Sequence, residues 1–473
     1  MVFSSASFLF VFLPITLLLY YVITPKFRNA FLLLVSIVYF VLGGNAKSII
    51  VLILSIVVNW LLAIIVNKFR QKKKLSIFVI VLMVVFNVGL LFVFKYLKFT
   101  LGIFSLQLSD SVANNLILPL GISFFTFQAI SYVVDVYKGR ADVCINPINV
   151  GLYIAFFPRI MCGPIVRYSD ISKELLDRHE NWNDFSKGMV RFIEGLAKKV
   201  LLANTFAIVA DHYFGVTDAA QLSVAGAWLG SICYSLQIFF DFAGYSDMAI
   251  GLGMMFGFHF AENFNYPYIS TSVTDFWRRW HISLSRWFRD YVYIPLGGNR
   301  CSKPRWAFNM LVVWLLTGIW HGANWTFICW GLFYFVILMI EKLTGVVDKL
   351  KNTLTKTLYR IFTLLCVNFA WVLFRADSID AAIQYIVSMF GGMGNVLYDR
   401  QTGFILLDII VLFVVAIACC IPWKEKLENH MAKKNATKNV YSVVKVVFLL
   451  VLLVVCCTYS INGSYNPFVY LDF

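Results

Sequence analysis

Long apolar segments alternate with short polar clusters, most of them basic, along the whole chain. The segments "FLFVFLPITLLLYYVI" and "IIVLILSIVVNWLLAIIV" approach the roughly 20 residues that a helix needs to cross about 30 Å of hydrocarbon. Segments of the same kind recur as far as the C-terminus. The pattern predicts an all-α polytopic integral membrane protein with about 10–12 transmembrane helices, together with re-entrant or interfacial helices.

The basic clusters predict the topology of the chain. They occupy residues 25–28, 67–74, 198–199, 278–305, 342–360 and 424–438. Because lysine and arginine concentrate on cytoplasmic loops, we assign these clusters to the cytoplasm. The first apolar segment precedes a basic cluster and the last one follows a basic cluster, so both termini are predicted to be extracytoplasmic. The N-terminal segment lacks a basic start and a cleavage site, so we expect it to be retained as the first helix.

The composition supports this class of protein. Hydrophobic residues make up 60% of the 473 residues and charged residues only 14%, which is far from the usage of soluble domains. The formal net charge of +15 lies in clusters between apolar segments, which favours membrane topology and membrane lipid over nucleic acid as its explanation. The ten cysteines show no C-x-x-C spacing, so we expect buried thiols and no metal site.

Glycine and proline interrupt two apolar segments, 118–137 and 156–168. Irregular backbone is tolerated at membrane depth only where protein or a water-filled cavity covers it, so we predict re-entrant or broken helices around a site. No soluble domain, repeat or low-complexity linker is evident. We therefore predict a single membrane-embedded domain over residues 1–473, with an extracellular tail at about 460–473.

The stretch "DFWRRWHISLSRWFRD", residues 275–290, is unusually rich in charge. Wound as one helix through residue 291, it has an aromatic and apolar face opposite a polar face that includes His281. The pairs Asp275–Arg279 and Arg286–Asp290, each four residues apart, support that helix.

One interpretation of this stretch is an interfacial anchor, because tryptophan and arginine collect at bilayer surfaces. The alternative is a basic cytosolic rim that binds a phosphate-bearing cofactor such as a coenzyme A thioester. Its candidate residues are Arg278, Arg279, Arg286, Arg289 and, in the following "YIPLGGNR", Arg300.

A second feature is "LLTGIWHGANWTFICWG", in which His321 lies between two apolar segments. An ionisable residue at membrane depth marks a candidate functional site, and histidine suits general-base work near neutral pH. The alternative is a neutral histidine that is hydrogen-bonded across helices.

In the apolar "YSLQIFFDFAGYSDMAIGLG", we expect Asp241 and Asp247 to pair with nearby arginines as part of the scaffold.

These segments, with "NFNYPYISTSVTDFWRRWHISLSRWFRDYVYIPLGGNR" and "GIWHGANWTF", closely resemble the bacterial membrane-bound O-acyltransferases, in particular the branch of the alginate O-acetyltransferase membrane subunit. The resemblance covers about residues 115–345. It implies a ring of tilted helices around a central tunnel where a donor thioester meets an acceptor from the other side. It also implies that His321 takes the proton of the attacking hydroxyl and that His281 orients or stabilises the thioester end of the donor.

The C-terminal "FVYLDF", residues 468–473, is similar to the F-x-Y-x-x-F terminus of cell-envelope acylation systems. That resemblance implies that Tyr470 accepts the acyl group on its phenol oxygen and passes it outward. A chance match of a short aromatic motif at a membrane interface is the alternative.

Together these features predict an O-acetyltransferase of the bacterial cytoplasmic membrane that draws acetyl groups from cytosolic acetyl-CoA for O-acetylation of an extracellular or cell-wall polysaccharide. Its expected partner is a secreted or membrane-anchored polysaccharide acetyltransferase. Within the family the alternative is a D-alanyl exporter for teichoic acids. From other classes, a transporter or flippase with a histidine proton relay and a purely structural scaffold stay open.

Overall fold

The computed structural model describes residues 1–111, 116–423, 435–463 and 465–468, and this part of the chain is helical, with no strand among the described residues. Helices are expected in lipid because every backbone N–H and C=O must find a partner within its own segment. The predicted all-α class is confirmed.

Twenty helices follow one another in the described ranges. The first ten are α1 (Phe8–Val22), α2 (Pro25–Gly43), α3 (Ala46–Lys68), α4 (Lys73–Ile103), α5 (Ile122–Lys138), α6 (Pro147–Ala155), α7 (Phe157–Ile160), α8 (Tyr168–Leu176), α9 (Trp182–Ala197) and α10 (Asn204–Phe214). The others are α11 (Val224–Met255), α12 (Val273–Arg279), α13 (Ile282–Phe288), α14 (Lys303–His321), α15 (Trp325–Thr344), α16 (Val346–Lys349), α17 (Thr353–Arg375), α18 (Ile379–Ser388), α19 (Arg400–Cys419) and α20 (Asn435–Asn462). A π-helical turn, Lys198–Ala203, joins α9 to α10.

Seven of the described helices are long and apolar enough to cross a membrane. They are α2, α3, α4, α15, α17, α19 and, in α20, Tyr441–Asn462. Their outward side chains are apolar: Phe404 and Val411 on α19 are about 70% exposed, as lipid-facing residues would be. The protein is therefore a multi-pass membrane protein. The predicted count of about 10–12 crossings stays a prediction, because the remaining helices are shorter or more polar than these seven.

The described residues form two compact units. Unit 1 contains Met1–Phe192 and Tyr245–Glu262, and unit 2 contains Ile193–Gly244 and the residues from Asn263 onward. In unit 1 the segment 156–168 is broken as predicted, since α7 is only four residues long. The segment 118–137 is different: it becomes one continuous helix, α5, from Ile122. Gly121 precedes the helix and has a φ of +64°. A Cβ added at this residue would lie 1.9 Å from the Ile160 carbonyl oxygen.

The ten cysteines are free thiols, of which six are buried as predicted and four are half-buried. No cluster of potential metal-ligating side chains is found among the described residues.

In unit 2, α14 and α15 meet backbone to backbone. A Cβ added at Gly318 would lie 2.4 Å from the Phe327 carbonyl oxygen, and one added at Gly331 would lie 2.4 Å from the Trp314 carbonyl oxygen. Small residues at helix interfaces allow this close approach in membrane proteins. The contact lies one helical turn from His321 and therefore fixes the end of α14 that carries this histidine.

Gly331→Ala is expected to lower the free energy of unfolding by about 1–3 kcal/mol, because the added methyl group meets backbone that has little freedom to move. The midpoint of thermal unfolding in detergent measures the effect. Gly89→Ala on α4 is the matched control, since an added Cβ there meets nothing within 4 Å. Equal midpoints for the two variants would show that the α14–α15 contact is looser than the structure describes.

Candidate active site

The stretch 275–290 is not one helix. α12 ends at Arg279, His281 adopts the left-handed conformation with φ +43° and ψ +54°, and α13 begins at Ile282. The neighbouring segment that contains Asn263 and Asn265 explains the break: Asn265 N–H donates to the Arg279 carbonyl at 2.9 Å, and Ile282 N–H donates to the Asn263 carbonyl at 2.9 Å. These bonds replace the helical ladder. A left-handed residue other than glycine costs of order 1–3 kcal/mol, and such strain concentrates at functional sites.

The predicted interfacial anchor is also not what the structure contains. Phe276 and Trp280 are buried in the core of unit 2, with rings stacked 5.5 Å apart, and Trp287 is only 4% exposed. These aromatic side chains therefore pack within the protein and hold the loop that carries His281.

The two ring nitrogens of His281 have different surroundings. Its Nδ1 lies 3.1 Å from Asn263 Oδ1, which also accepts hydrogen bonds from Ser283 N–H at 3.2 Å and Ser283 Oγ at 2.8 Å. Its Nε2 is buried and has no hydrogen-bond partner among the described groups. The residue lies outside the seven spans, and burial lowers the pKa of His281 to about 3, so the imidazole is neutral near pH 7.

His321 is the last residue of α14 and is 4% exposed. Its ring lies 5.0 Å from the Trp330 ring and 5.1 Å from the Phe374 ring, in both cases edge to face. Trp320 contacts both histidines, with ring centroids 4.9 Å from His321 and 6.0 Å from His281. The structure thus brings the two predicted histidines onto one buried aromatic cluster.

Glu341, which the sequence analysis did not single out, holds the start of α12, the helix that leads to His281. Its carboxylate is 3% exposed and accepts hydrogen bonds from the N–H groups of Val273 and Thr274, each at 2.8 Å, at the first turn of α12. Tyr359 donates to it at 3.1 Å. A carboxylate satisfies the free N–H groups of a helix N-terminus and interacts favourably with the helix dipole. The available signal was a single acidic residue near the end of an otherwise apolar span.

The five candidate arginines differ in their surroundings. Arg278, Arg286, Arg289 and Arg300 are exposed, and Arg279 is half-buried. Arg279 pairs with Asp275 at 3.0 Å, as predicted. The predicted Arg286–Asp290 pair is wrong, because Asp290 bonds to the adjacent Arg289 at 2.8 Å where a π-helical turn, Arg289–Tyr293, changes the helical spacing. The result is a largely exposed basic rim in which Arg279 and Arg289 are already paired with the carboxylates of Asp275 and Asp290.

The two aspartates of α11 have different partners. In unit 1, Asp247 pairs with Arg191 at 2.9 Å, so its partner is an arginine as predicted, but one that lies 56 residues away along the chain. In unit 2, Asp241 pairs with a lysine instead: Lys199 Nζ lies 2.7 Å from Asp241 Oδ1, and both residues are almost completely buried. The predicted arginine partner of Asp241 is therefore wrong.

The same lysine, which the basic-cluster pattern assigned to the cytoplasm, is instead buried in a helical turn, where it holds the C-terminal segment. Lys199 Nζ donates to the Pro467 carbonyl and lies 5.6 Å from the centre of the Phe468 ring, which is buried. Asn204 and Asn466 are bonded through their side chains at 3.3 Å. Residues 466–468 are thus anchored in unit 2. Tyr470 itself lies outside the described residues.

These features define a multi-pass helical membrane protein with two histidines buried on a shared aromatic cluster. The profile of the membrane-bound O-acyltransferase family matches residues 140–380, a range that includes both histidines. The chain belongs to this family and is an O-acyltransferase, which confirms the resemblance noted in the sequence.

Its relatives act on polymers of the cell envelope or on alginate, as their names indicate. A probable alginate O-acetylase, AlgI, of Azotobacter vinelandii is 40% identical over 82% of this chain and 78% of its own. A peptidoglycan O-acetyltransferase of Helicobacter pylori is 36% identical over 83% of this chain and 80% of its own. A teichoic acid D-alanyltransferase of Bacillus subtilis is 32% identical over 48% of this chain and 59% of its own.

Proposed function

We propose that this protein transfers acetyl groups from cytosolic acetyl-CoA across the bacterial cytoplasmic membrane for O-acetylation of an extracellular or cell-wall polysaccharide. The observation that carries the proposal is the pair of buried histidines around Trp320 in a chain of the O-acyltransferase family. Similarity to polymer O-acetylases over about four fifths of the chain supports the acetyl group and the polymeric acceptor.

Acetyl transfer needs a hydroxyl oxygen to lose its proton while it attacks the acyl carbon of the thioester. The C–S bond then breaks, and the proton goes to the departing thiolate, so the products are an ester and a free thiol. His281 and His321 are the groups proposed to move this proton and to orient the reacting atoms. The exposed Arg278, Arg286 and Arg300 are proposed to hold the phosphates of coenzyme A.

The first acceptor in this proposal is the phenol oxygen of Tyr470. The bonds of Lys199 to Pro467 and of Asn204 to Asn466 support it, because they hold the tail three and four residues before the tyrosine. A phenolate is a better leaving group than an alkoxide, so a tyrosyl ester passes its acyl group on readily. A secreted or membrane-anchored polysaccharide acetyltransferase would complete the transfer outside, which requires both termini to be extracytoplasmic and the 473 residues to act as one membrane-embedded domain.

D-alanyl transfer is the second candidate, favoured by the similarity to the teichoic acid D-alanyltransferase. That similarity covers about half of this chain, whereas the similarity to the O-acetylases covers more than four fifths of it. Acetyl transfer is therefore the better-supported function.

The test is incorporation of radiolabel from acetyl-CoA into the purified full-length protein in nanodiscs. We expect denaturation-stable label in the wild type, and its loss in His321→Ala and in Tyr470→Phe. His179→Ala is the control, since the side chain of His179 is 88% exposed. Label retained in Tyr470→Phe would remove this tyrosine from the route. Absence of label in every sample, with polymer and partner supplied, would exclude acetyl-CoA as the donor.

A further inference from the structure

We infer that Asn263 is a positioning residue that holds His281 in a single tautomer, with Nε2 as the atom that accepts the proton of the attacking hydroxyl. This inference rests on the proposed acyl transfer and assigns a role within it. It differs from the expectation drawn from the resemblance, in which His321 takes that proton and His281 orients or stabilises the thioester end of the donor.

The first step is to decide which side-chain atom of Asn263, the amide oxygen or the amide nitrogen, faces Ser283 and His281. The oxygen and nitrogen of an asparagine amide are assigned from their hydrogen bonds. The backbone N–H of Ser283 is a donor in every protonation state, and it lies 3.2 Å from Asn263 Oδ1. The atom that faces Ser283 N–H must therefore be the amide oxygen.

The second step follows from the first. The same Oδ1 lies 3.1 Å from His281 Nδ1, and an amide oxygen can only accept. Nδ1 must then carry a proton. In a neutral imidazole only one nitrogen is protonated, so Nε2 carries a lone pair and no hydrogen.

The third step is that the backbone and packing hold this ring in place. The left-handed conformation of His281 is fixed by the Ile282 N–H bond to the Asn263 carbonyl at 2.9 Å, so Asn263 contacts the loop through both its backbone and its side chain. Phe242 packs edge to face against the imidazole, with ring centroids 4.6 Å apart. The Nε2 atom is buried and has no hydrogen-bond partner among the described groups. It can therefore accept a hydrogen bond from a substrate hydroxyl.

The chemistry then follows from the lone pair. Nε2 takes the proton as the hydroxyl oxygen forms its bond to the acyl carbon, and the resulting Nε2–H protonates the thiolate as the C–S bond breaks. A ring without a proton on Nε2 cannot donate to the thioester carbonyl, so stabilisation of that oxygen falls to another group. Asn263 remains bonded to Nδ1–H throughout and disperses the positive charge that forms on the ring.

Solid-state NMR of protein labelled with ¹⁵N-histidine in lipid bilayers tests the tautomer directly. The chain has six histidines, and the spectrum of His281→Gln identifies the signal of His281. We expect a neutral ring with protonated Nδ1 and unprotonated Nε2. A proton on Nε2 in the wild-type protein would overturn the inference, whether or not the protein transfers acetyl groups.

Kinetics of Asn263 variants test the positioning role. We expect Asn263→Leu to lose the Nδ1–H tautomer and to lower kcat about 100-fold, with the KM for acetyl-CoA changed less than twofold. Asn263→Asp keeps an acceptor oxygen and is expected to restore kcat to within about tenfold of wild type. The control is Asn368→Leu, which removes another buried asparagine of unit 2, bonded to Ser235 at 2.9 Å. It should lower stability without changing the tautomer.

The outcomes separate this inference from the proposed function. Full kcat in Asn263→Leu, or a general loss of folded protein with an unchanged tautomer, would contradict the positioning role while wild-type acetyl transfer stands. Wild-type protein without acetyl transfer but with the Nδ1–H tautomer would contradict the function and leave the geometry of His281 intact.

Discussion

His281→Asn and His321→Gln are each expected to lower the initial rate of acetyl transfer by about 10²–10⁴-fold, the range that positioned proton transfer contributes. Both variants keep a polar side chain in the buried site, and asparagine tolerates the left-handed backbone of residue 281. The folded protein should therefore persist while proton transfer is lost. Initial rates with labelled acetyl-CoA in nanodiscs, measured at equal amounts of folded protein, check the expectation.

The matched control is His179→Gln, because this histidine is exposed. Its rate should equal that of the wild type. A rate within threefold of wild type in either buried variant would remove that histidine from the chemistry. For His321, the structural role of a histidine hydrogen-bonded across helices would then be the explanation.

The second large effect is expected at the buried pair of Lys199 and Asp241. Lys199→Met removes the ammonium group 2.7 Å from the carboxylate and should lower the free energy of unfolding by about 3–5 kcal/mol, as is typical when one partner of a buried pair is lost. Lys199→Met/Asp241→Leu should recover most of that loss, since a buried pair can be replaced by apolar residues at little cost. Thermal unfolding of the single and double variants measures both effects.

Acetyl transfer in the double variant separates the two roles of Lys199. The lysine also donates to the Pro467 carbonyl, and methionine cannot replace that bond. We therefore expect a stable double variant with reduced labelling of the tail. Full labelling in a stable double variant would show that Lys199 serves stability alone and that the tail needs no anchor there.

The class of fold could be predicted from the sequence because membrane crossing imposes a simple rule on each segment by itself. Spans such as α3 and α4 are long, apolar and flanked by charge, so their helices follow from local information. The pair Asp275–Arg279 was predictable for the same reason, since it lies within one helical turn.

The geometry of the site could not be predicted in this way. The helical pattern runs through His281 without interruption, and the break there is imposed by Asn263 and Asn265, which come from a separate segment. The partner of Asp241 is 42 residues earlier in the chain, and Glu341 reaches α12 from the end of a different helix. These are tertiary effects that override local periodicity. The two histidines could be singled out from the sequence, His321 as an ionisable residue between apolar segments and His281 within a charged stretch, while their shared contact with Trp320 is visible only in the structure.

The direct contact of α14 with α15 also bears on motion during turnover. At Gly318 and Gly331 no side chain lies between the two backbones, so the helices have no rotamer change available that would let one slide past the other. Any opening of the protein at the end of α14 would then depend on movement of other elements. Spin labels on α14 and α15 should accordingly keep a constant separation through the reaction cycle, and this helix pair provides a fixed frame against which the opening of the enzyme can be measured.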